Sequence, residues 1–397
     1  MGDRCALLTA LWATVAVAVG CGGSSSQHQP ADRRGGSPAR GQAGGFDPVL
    51  SSRLQETLDR VRADQGIPGA SAAVLIPGEG IWTGNSGEAD TRTHRPVTDR
   101  TLFAAGSITK TFVAALMLKL AERDVLDLDD HLSRWVPKFP NSRSISLRQL
   151  LNHTSGTSNF TDEPAFAKAQ QRNPNAAWTP RRTLRYAQHP YSAPGEGWSY
   201  SNTNYILAGL VIKRATRSTV ARELHRRLLP RPEFRRILLQ GDERPRGPVA
   251  VGYQNLDQDS DLEHTPNNSY VPSKSEATAA WAAGGMLATA EGLARAGDGL
   301  FRGSLLTDAS RREMTRFVST DTREPPEYGL GLARLDLGGE QVWAHNGNIL
   351  GFHADLAYMP KQHATVAALN NYQQDGPGQD VLIDRLISDV SEHERTP

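Results

Sequence analysis

Ser107 and Lys110 stand three residues apart at the start of the most apolar helical stretch in the chain. Side chains at that spacing share one helix face, so the lysine amine reaches the serine hydroxyl. The run Thr111-Phe112-Val113-Ala114-Ala115-Leu116-Met117-Leu118 has no charge before Lys119, and a helix apolar all round belongs in a core. Lys110 is therefore expected in a poorly solvated place, where burial lowers an amine's pKa. A neutral amine can take the serine's proton, which makes the pair a candidate for nucleophilic acyl transfer. The chain has 7 lysines against 37 arginines and no second Ser-x-x-Lys, which narrows the room for a chance spacing.

Two further groups could complete such a site. Tyr200-Ser201-Asn202 follows the turn Ala193-Pro194-Gly195-Glu196-Gly197 and precedes a helical pattern, a place from which side chains project into a cleft. A tyrosine near a lysine ammonium has its phenolate favoured, and Tyr200 is then a candidate base. His345-Asn346-Gly347 falls at the end of an inferred strand. A glycine there lets another segment approach the backbone closely, and the N–H of Asn348 is free to point at an oxyanion. Taken singly, Tyr200 and His345 read as packing residues; it is the combination that points to chemistry.

The elements that must position these groups are legible in outline. Asp47-Pro48 reads as a helix start, and Leu50, Leu54, Leu58 and Val61 give the helix one apolar face before Gly66. Ala70 to Ile76 reads as a buried strand, turned by Pro77-Gly78-Glu79-Gly80 into a second at Ile81 to Gly84. The Ser-x-x-Lys helix opens a mostly helical, loop-rich middle over about 106–280, with Tyr205 to Ala215 its clearest other helix. Residues 230–275, rich in Pro, Arg, Asp and Asn, carry no assignable pattern. Leu330 to Leu337, Gln341 to His345, Phe352 to Met359 and Thr365 to Leu369 read as a β-meander, closed by a helix from Asp380. Short connections imply antiparallel pairing. The expected fold class is α/β: one antiparallel sheet built from both chain ends, flanked by helices, with the helical middle inserted as a second lobe.

Length and charge exclude several classes. The 397 residues suffice for a large core, and 44 positive side chains against 43 negative ones, with no basic run, give no footprint for nucleic acid. Cys5 and Cys21 are the only cysteines, so the domain beyond them has no disulfide, thiol nucleophile or Cys-ligated zinc. There is no His-Glu-x-x-His helix, the 11 histidines lack metal-ligand spacing, and no Gly-x-Ser-x-Gly elbow occurs. No metal or cofactor is expected.

The N-terminus reads as an export signal over 1–20, with Arg4 before an uncharged run too short to span a membrane stably. Ala18-Val19-Gly20-Cys21 resembles a bacterial lipobox, which would make Cys21 the lipidated first residue of the mature protein; ordinary signal cleavage nearby, and secretion, is the alternative. Residues 21–46 are a Gly-, Ser-, Pro- and Arg-rich tether. The folded part is expected over 47–395.

Taken in order, Ser107-Ile108-Thr109-Lys110, Tyr200-Ser201-Asn202 and His345-Asn346-Gly347 resemble the serine β-lactamase and penicillin-recognising family. The nearest branch is that of class C β-lactamases, D-alanyl-D-alanine carboxypeptidases and related esterases. Leu150-Leu151-Asn152-His153-Thr154-Ser155-Gly156, Ala283-Gly284-Gly285-Met286 and Tyr328-Gly329-Leu330-Gly331-Leu332 support it. The resemblance implies a β-lactamase/transpeptidase-like fold and hydrolysis through an acyl-enzyme. It makes Ser107 the nucleophile, Lys110 its proton partner and Tyr200 the general base or acid. Asn202 would hold the substrate amide and His345 would replace the family's third-motif cation. Gly347 would admit the substrate strand, and the N–H groups of Ser107 and Asn348 would form the oxyanion hole.

The substrate end departs from the carboxypeptidase pattern. The residues that commonly bind a terminal carboxylate there are threonines at positions 346 and 348, both asparagine here, and an arginine matching Ala333, with Arg334 on the opposite face. The resemblance thus implies an exported, lipid-anchored serine hydrolase acting on D-Ala-D-Ala-type peptides, such as peptidoglycan stem peptides, or on related amides and esters. An esterase or weak β-lactamase of the same fold is the alternative. A lipoprotein that binds cell-wall peptides without turnover is the reading from another class, disfavoured because Ser107, Lys110 and Tyr200 are all present.

Overall fold

The computed structural model describes residues 45–254, 274–323, 325–373 and 379–395, with the backbone of 263–264. The expected signal over 1–20, Cys21 and the tether as far as residue 44 lie outside the described residues. Helix α1 (Pro48–Asp64) starts where Asp47 Oδ1 accepts from Leu50 N at 2.7 Å, with proline at its first position. Its apolar face is the one read from sequence, with Leu50, Leu54, Leu58 and Val61 buried. Strands β1 (Gly69–Ile76) and β2 (Gly80–Asp90) follow as a hairpin, then β3 (Arg95–Pro96) at the sheet edge.

The chain leaves the sheet after β4 (Phe103–Gly106) and enters α2 (Ile108–Ala121), in which every residue but Lys119 and Ala121 is buried. The lobe beyond holds α3 (Asn202–Thr216), the two-residue strand β5 (Leu238–Leu239) and α4 (Lys274–Gly284) before β6 (Met286–Ala288). Strands β4, β6 and β5 pair in that order, so the middle of the chain is less purely helical than expected. Helix α5 (Ala290–Phe301) then returns to the main sheet.

The C-terminal third supplies β7 (Val318–Ser319), β8 (Glu327–Tyr328), β9 (Ala333–Leu337), β10 (Glu340–Ile349), β11 (Phe352–Met359) and β12 (Ala364–Asn370), then α6 (Val381–Arg395). The nine-stranded sheet runs β3-β2-β1-β12-β11-β10-β9-β8-β7 and its pairings are antiparallel. The two ends of the chain meet at β1 and β12, where Ala72 lies opposite Ala368. Both strands are buried almost throughout, as central strands covered on both faces must be. Helix α5 packs on one face, close enough at Gly297 to touch Leu356 and Thr365. Helices α1 and α6 pack together on the other.

Three expectations about strands need correction. The strand carrying His345 does not end there but continues to Ile349, because β11 pairs with it through Ile349–Phe352. The second strand extends beyond Gly84 to Asp90, since Asn85, Ser86 and Gly87 are paired to β1. The stretch from Leu330 becomes a strand only at Ala333; Gly331 N instead donates to Leu151 O at 3.2 Å, tying the loop to the lobe.

Candidate active site

Gly106, at φ +47, turns the chain from β4 into α2, and Ser107 caps that helix. Lys110, one turn on, is fully buried. Its Nζ lies 2.8 Å from Ser107 Oγ, 2.7 Å from Asn202 Oδ1 and 2.7 Å from the Ala283 carbonyl oxygen. No carboxylate pairs with it among the described residues, and burial alone drives its pKa well below that of an ordinary lysine. Proton counting then becomes informative. Two of the three partners are carbonyl oxygens and can only accept, so they fix two N–H bonds of the neutral amine and leave its lone pair facing Ser107. The protonated form would give one N–H to each oxygen, so the same cradle suits the base and its conjugate acid.

The Ala283 carbonyl is available because it lies in the last turn of α4, where carbonyls have no partner within the helix; the helix is also kinked at Trp281, whose φ of 34 and ψ of −117 are not helical. Ala283 carries no side-chain signal for this role, although its Ala-Gly-Gly-Met stretch was conspicuous in the sequence.

Tyr200 lies beside Ser107, which favours its phenolate slightly, and Lys110 Nζ sits 4.8 Å from the tyrosine ring centroid. Burial raises the Tyr200 pKa well above that of an ordinary phenol. The expectation of a favoured phenolate is thereby corrected: a buried neutral amine supplies no ammonium to stabilise one. Tyr200 rests as a phenol. Asn202 is fixed at the start of α3, its N donating to Asn159 Oδ1 at 3.0 Å and its Nδ2 to Thr161 Oγ1 at 3.3 Å.

His153 was not singled out from sequence, although its His-Thr-Ser-Gly stretch was noted. It takes the left-handed conformation at φ +64, uncommon for a side-chain-bearing residue. This brings its ring to 4.4 Å from that of Tyr200. Its Nδ1 accepts from Ser201 N and Asn204 Nδ2, each at 3.1 Å. Burial, then the neighbouring Lys110 and His345, push its pKa well down, so the ring packs as a neutral plate behind the tyrosine.

His345 lies at the same centre, its ring 6.3 Å from Tyr200. Nδ1 faces the Asn346 carbonyl oxygen at 2.6 Å and must donate to it, so Nε2 accepts from Tyr328 Oη at 2.9 Å. Burial first, then Lys110, lower its pKa to about 3. The expectation that His345 supplies the third-motif cation is corrected: it is a neutral hydrogen-bonding group. Tyr328, its partner, is a further residue of the centre, brought there by the Tyr-Gly-Leu-Gly-Leu stretch.

Gly347 is where β10 meets β4. A Cβ there would lie 2.0 Å from Ala105 O and 2.9 Å from Ser107 N, and one on Gly106 would lie 3.0 Å from Asn348 N. The main-chain nitrogens of Ser107 and Asn348 therefore meet at one corner beside Ser107 Oγ, an arrangement able to hold an oxyanion. The side chains of Asn346 and Asn348 point elsewhere. They alternate with His345 and Gly347 and lie opposite Asp355 and His353 on the α1/α6 face; Asn348 Oδ1 is 2.7 Å from His353 Nδ1. The expected placing of Ala333 and Arg334 is reversed: Ala333 shares that far face, opposite Ala344, whereas Arg334 lies opposite Trp343 on the face of His345 and Gly347, ion-paired to Glu327. The contacts of Ser107, Tyr200, Asn202 and His345 include no cation other than Lys110 among the described residues.

The comparisons with known proteins agree with this geometry. The beta-lactamase family model matches residues 54–389. A curated relative, the esterase EstB of Burkholderia gladioli, is 32% identical over 185 residues, which are 43% of this chain and 47% of the relative; the match thus spans about half of that relative's length. Among solved structures, a D-stereospecific amidohydrolase from Streptomyces sp. is 31% identical with a TM-score of 0.72, covering 84% of this chain and 97% of that one. The D-amino acid amidase of Ochrobactrum anthropi SV3, solved with L-phenylalanine amide, is 25% identical with a TM-score of 0.76, covering 87% and 99%.

Proposed function

The chain belongs to the beta-lactamase family of serine acyl-transferring hydrolases, and within it we propose that it hydrolyses small esters and amides, including amides of D-amino acids, in preference to peptides ending in a free carboxylate. The observation that carries the chemistry is the cradle of Lys110, which leaves an amine lone pair 2.8 Å from Ser107 Oγ. In the proposed sequence Lys110 takes the Ser107 proton as Oγ attacks the substrate carbonyl. The oxyanion accepts from the N–H groups of Ser107 and Asn348. Tyr200, a phenol beside Ser107, gives its proton to the leaving nitrogen or oxygen and is restored from Lys110. Water then enters by the reverse path and releases the acid and free Ser107. Asn202 and Gly347 line the acyl side, and His345 holds the cleft wall through Tyr328.

The preference for substrates without a carboxylate rests on charge. Asn346, Asn348 and Ala333 turn their side chains to the far face, Arg334 on the near face is ion-paired to Glu327, and His345 is neutral. A carboxylate buried beside them would go unpaired, which is costly. The amidohydrolase and amidase likenesses support the amide side of the reading, and the EstB likeness the ester side.

The test is mass spectrometry of the protein after exposure to a chromogenic ester, a D-phenylalanine amide and a fluorescent penicillin. One acyl adduct on Ser107 is expected, none in Ser107→Ala, and none in Lys110→Arg, because arginine keeps its charge and cannot act as a base. An adduct that survives in Ser107→Ala overturns the assignment.

Export and anchoring remain a proposal from the sequence: Cys21 would carry the lipid, and stable attachment needs more than one acyl chain. Cys21→Ala is expected to leave an uncleaved or released protein on cell fractionation; unchanged processing would leave a plain signal peptide in its place.

A further inference from the structure

Behind the oxyanion corner, on the α1/α6 face of the sheet, lies a polar cluster that the acyl-transfer sequence does not use. His353 in β11 and Asp355 two residues on are 3% and 4% exposed. His353 Nε2 lies 3.0 Å from Asp355 Oδ2 and 3.1 Å from Asp380 Oδ1, just before α6. Its Nδ1 lies 2.7 Å from Asn348 Oδ1. The side-chain oxygen of Asn348 and the ionised Asp380 accept but do not donate, so both ring nitrogens carry protons and the ring is an imidazolium. Asn346, on the other side of Gly347, lies opposite Asp355 on the same face and helps to hold Asp380 ionised. Both asparagines flanking Gly347 are thus tied to one buried ionic cluster.

We propose that the His353 imidazolium, clamped by Asp355 and Asp380, is a positioning group for the oxyanion corner: by fixing the Asn348 side chain it fixes the direction of the Asn348 main-chain N–H. This rests on the reading above in which that N–H receives the oxyanion.

A strand residue held only by its ladder can rock about the strand axis. One whose side chain is bonded on the far face cannot, and oxyanion stabilisation depends on such pre-set direction. The charge has a purpose in that role, since hydrogen bonds from an ionised donor are shorter and stronger than neutral ones. The surroundings keep the ring charged. Burial opposes its protonation, but the two carboxylates outweigh burial and raise His353 to about 10. Burial, with Asp380 nearby, raises Asp355, while His353 holds Asp380 below the usual carboxylate range. From the other elements packed here, Gln65 of α1, Asn370 of β12 and Tyr372 line the adjoining pocket, and none is a carboxylate or a cation.

The experiment uses the full chain and separates acylation rate from substrate affinity with a chromogenic ester. His353→Leu and Asn348→Ala are each expected to slow acylation about ten-fold, a fraction of the loss seen when an oxyanion donor is removed outright, with KM little changed. The double variant should be no slower than the worse single one, because both break the same link. His353→Asn, whose Nδ2 can replace Nδ1–H without the charge, should recover part of the rate. Thr57→Val serves as the structural control: it removes the 2.7 Å bond from α1 to Asp389 of α6 and loosens the same layer away from β10. It should lower the melting temperature without slowing acylation.

Additive losses in the double variant, an equal slowing in Thr57→Val, or no recovery in His353→Asn would overturn the proposal. So would loss of wild-type activity on chelation, which would make the cluster a cation site. Failure of the wild type to acylate at all would instead remove the functional reading itself, so the two failures are distinguishable.

Discussion

Withdrawing water acts on Lys110 and Tyr200 in opposite directions, lowering the amine and raising the phenol, because in each it penalises the charged form. The pair rests as a neutral base beside a neutral acid, with no ion pair to break before Ser107 is activated. The sign of the pH dependence follows. The neutral fraction of Lys110 grows with pH, so kcat/KM should climb through an inflection well below the ordinary lysine value and flatten above it. His345, at about 3, is already neutral throughout that range. His345→Gln should therefore leave the inflection where it is, and a displaced inflection in the measured profile would show that the imidazole titrates after all. Tyr200→Phe makes a sharper distinction. General acid catalysis is worth about 10²–10⁴-fold, so amide turnover should fall by that much, while a nitrophenyl ester, whose leaving group needs no proton, should lose far less. The Ser-x-x-Lys spacing was readable in the sequence; these protonation states were not. They depend on Asn202 and on the Ala283 carbonyl, which the fold brings to Lys110 from 92 and 173 residues away.

The helices and strands divide along similar lines. Strand β11 has the limits read from its apolar run in the β-meander, and α1 buries the face read from its leucines, because in both the apolar residues report the local burial. Helix α5 went unread: Gly292, Gly297 and Gly299 lower its intrinsic propensity, and tertiary packing overrides that weakness where Gly297 meets Leu356 and Thr365. The kink at Trp281 and the continuation of β10 through Asn346 and Gly347 are likewise products of their neighbours. The close approach of β4 to β10 gives the most direct test of how elements build the site. A Cβ on Gly347 would lie 2.0 Å from Ala105 O, so Gly347→Ala must push the two strands apart and separate the N–H groups of Ser107 and Asn348. Loss of one oxyanion donor costs about 10²–10³ in kcat. A fall of that order is expected in acylation kinetics, with the thermal melt recorded alongside. Wild-type kcat in a folded Gly347→Ala protein would show that the corner is not where the oxyanion sits.

The sheet is assembled from both ends of the chain, with the segment between β4 and β6 set over one of its faces. The reacting groups lie where the two parts meet: Ser107 and Lys110 at the start of α2, Tyr200 and Asn202 from the lobe, His345 and Gly347 from the sheet. Such an arrangement explains why the order and spacing of the motifs carried so much information. Each marks a point at which one part of the chain must touch the other. Substrate selection is a property of the whole cleft, and there the balance of charge decides. Lys110 is the one cation in contact with these groups among the described residues, and burial keeps it toward neutrality. A peptide with a free terminal carboxylate should therefore be a poorer substrate than its methyl ester. An unpaired charge forgoes a charge-assisted hydrogen bond of roughly 1.5–3 kcal/mol, so kcat/KM should favour the ester by about ten-fold or more. Paired kinetics on a D-alanyl-D-alanine peptide and its methyl ester read this directly. If the free acid is preferred, Arg334 released from Glu327, or a cation from outside the described residues, must reach the cleft, and the carboxypeptidase reading would displace the esterase and amidase one.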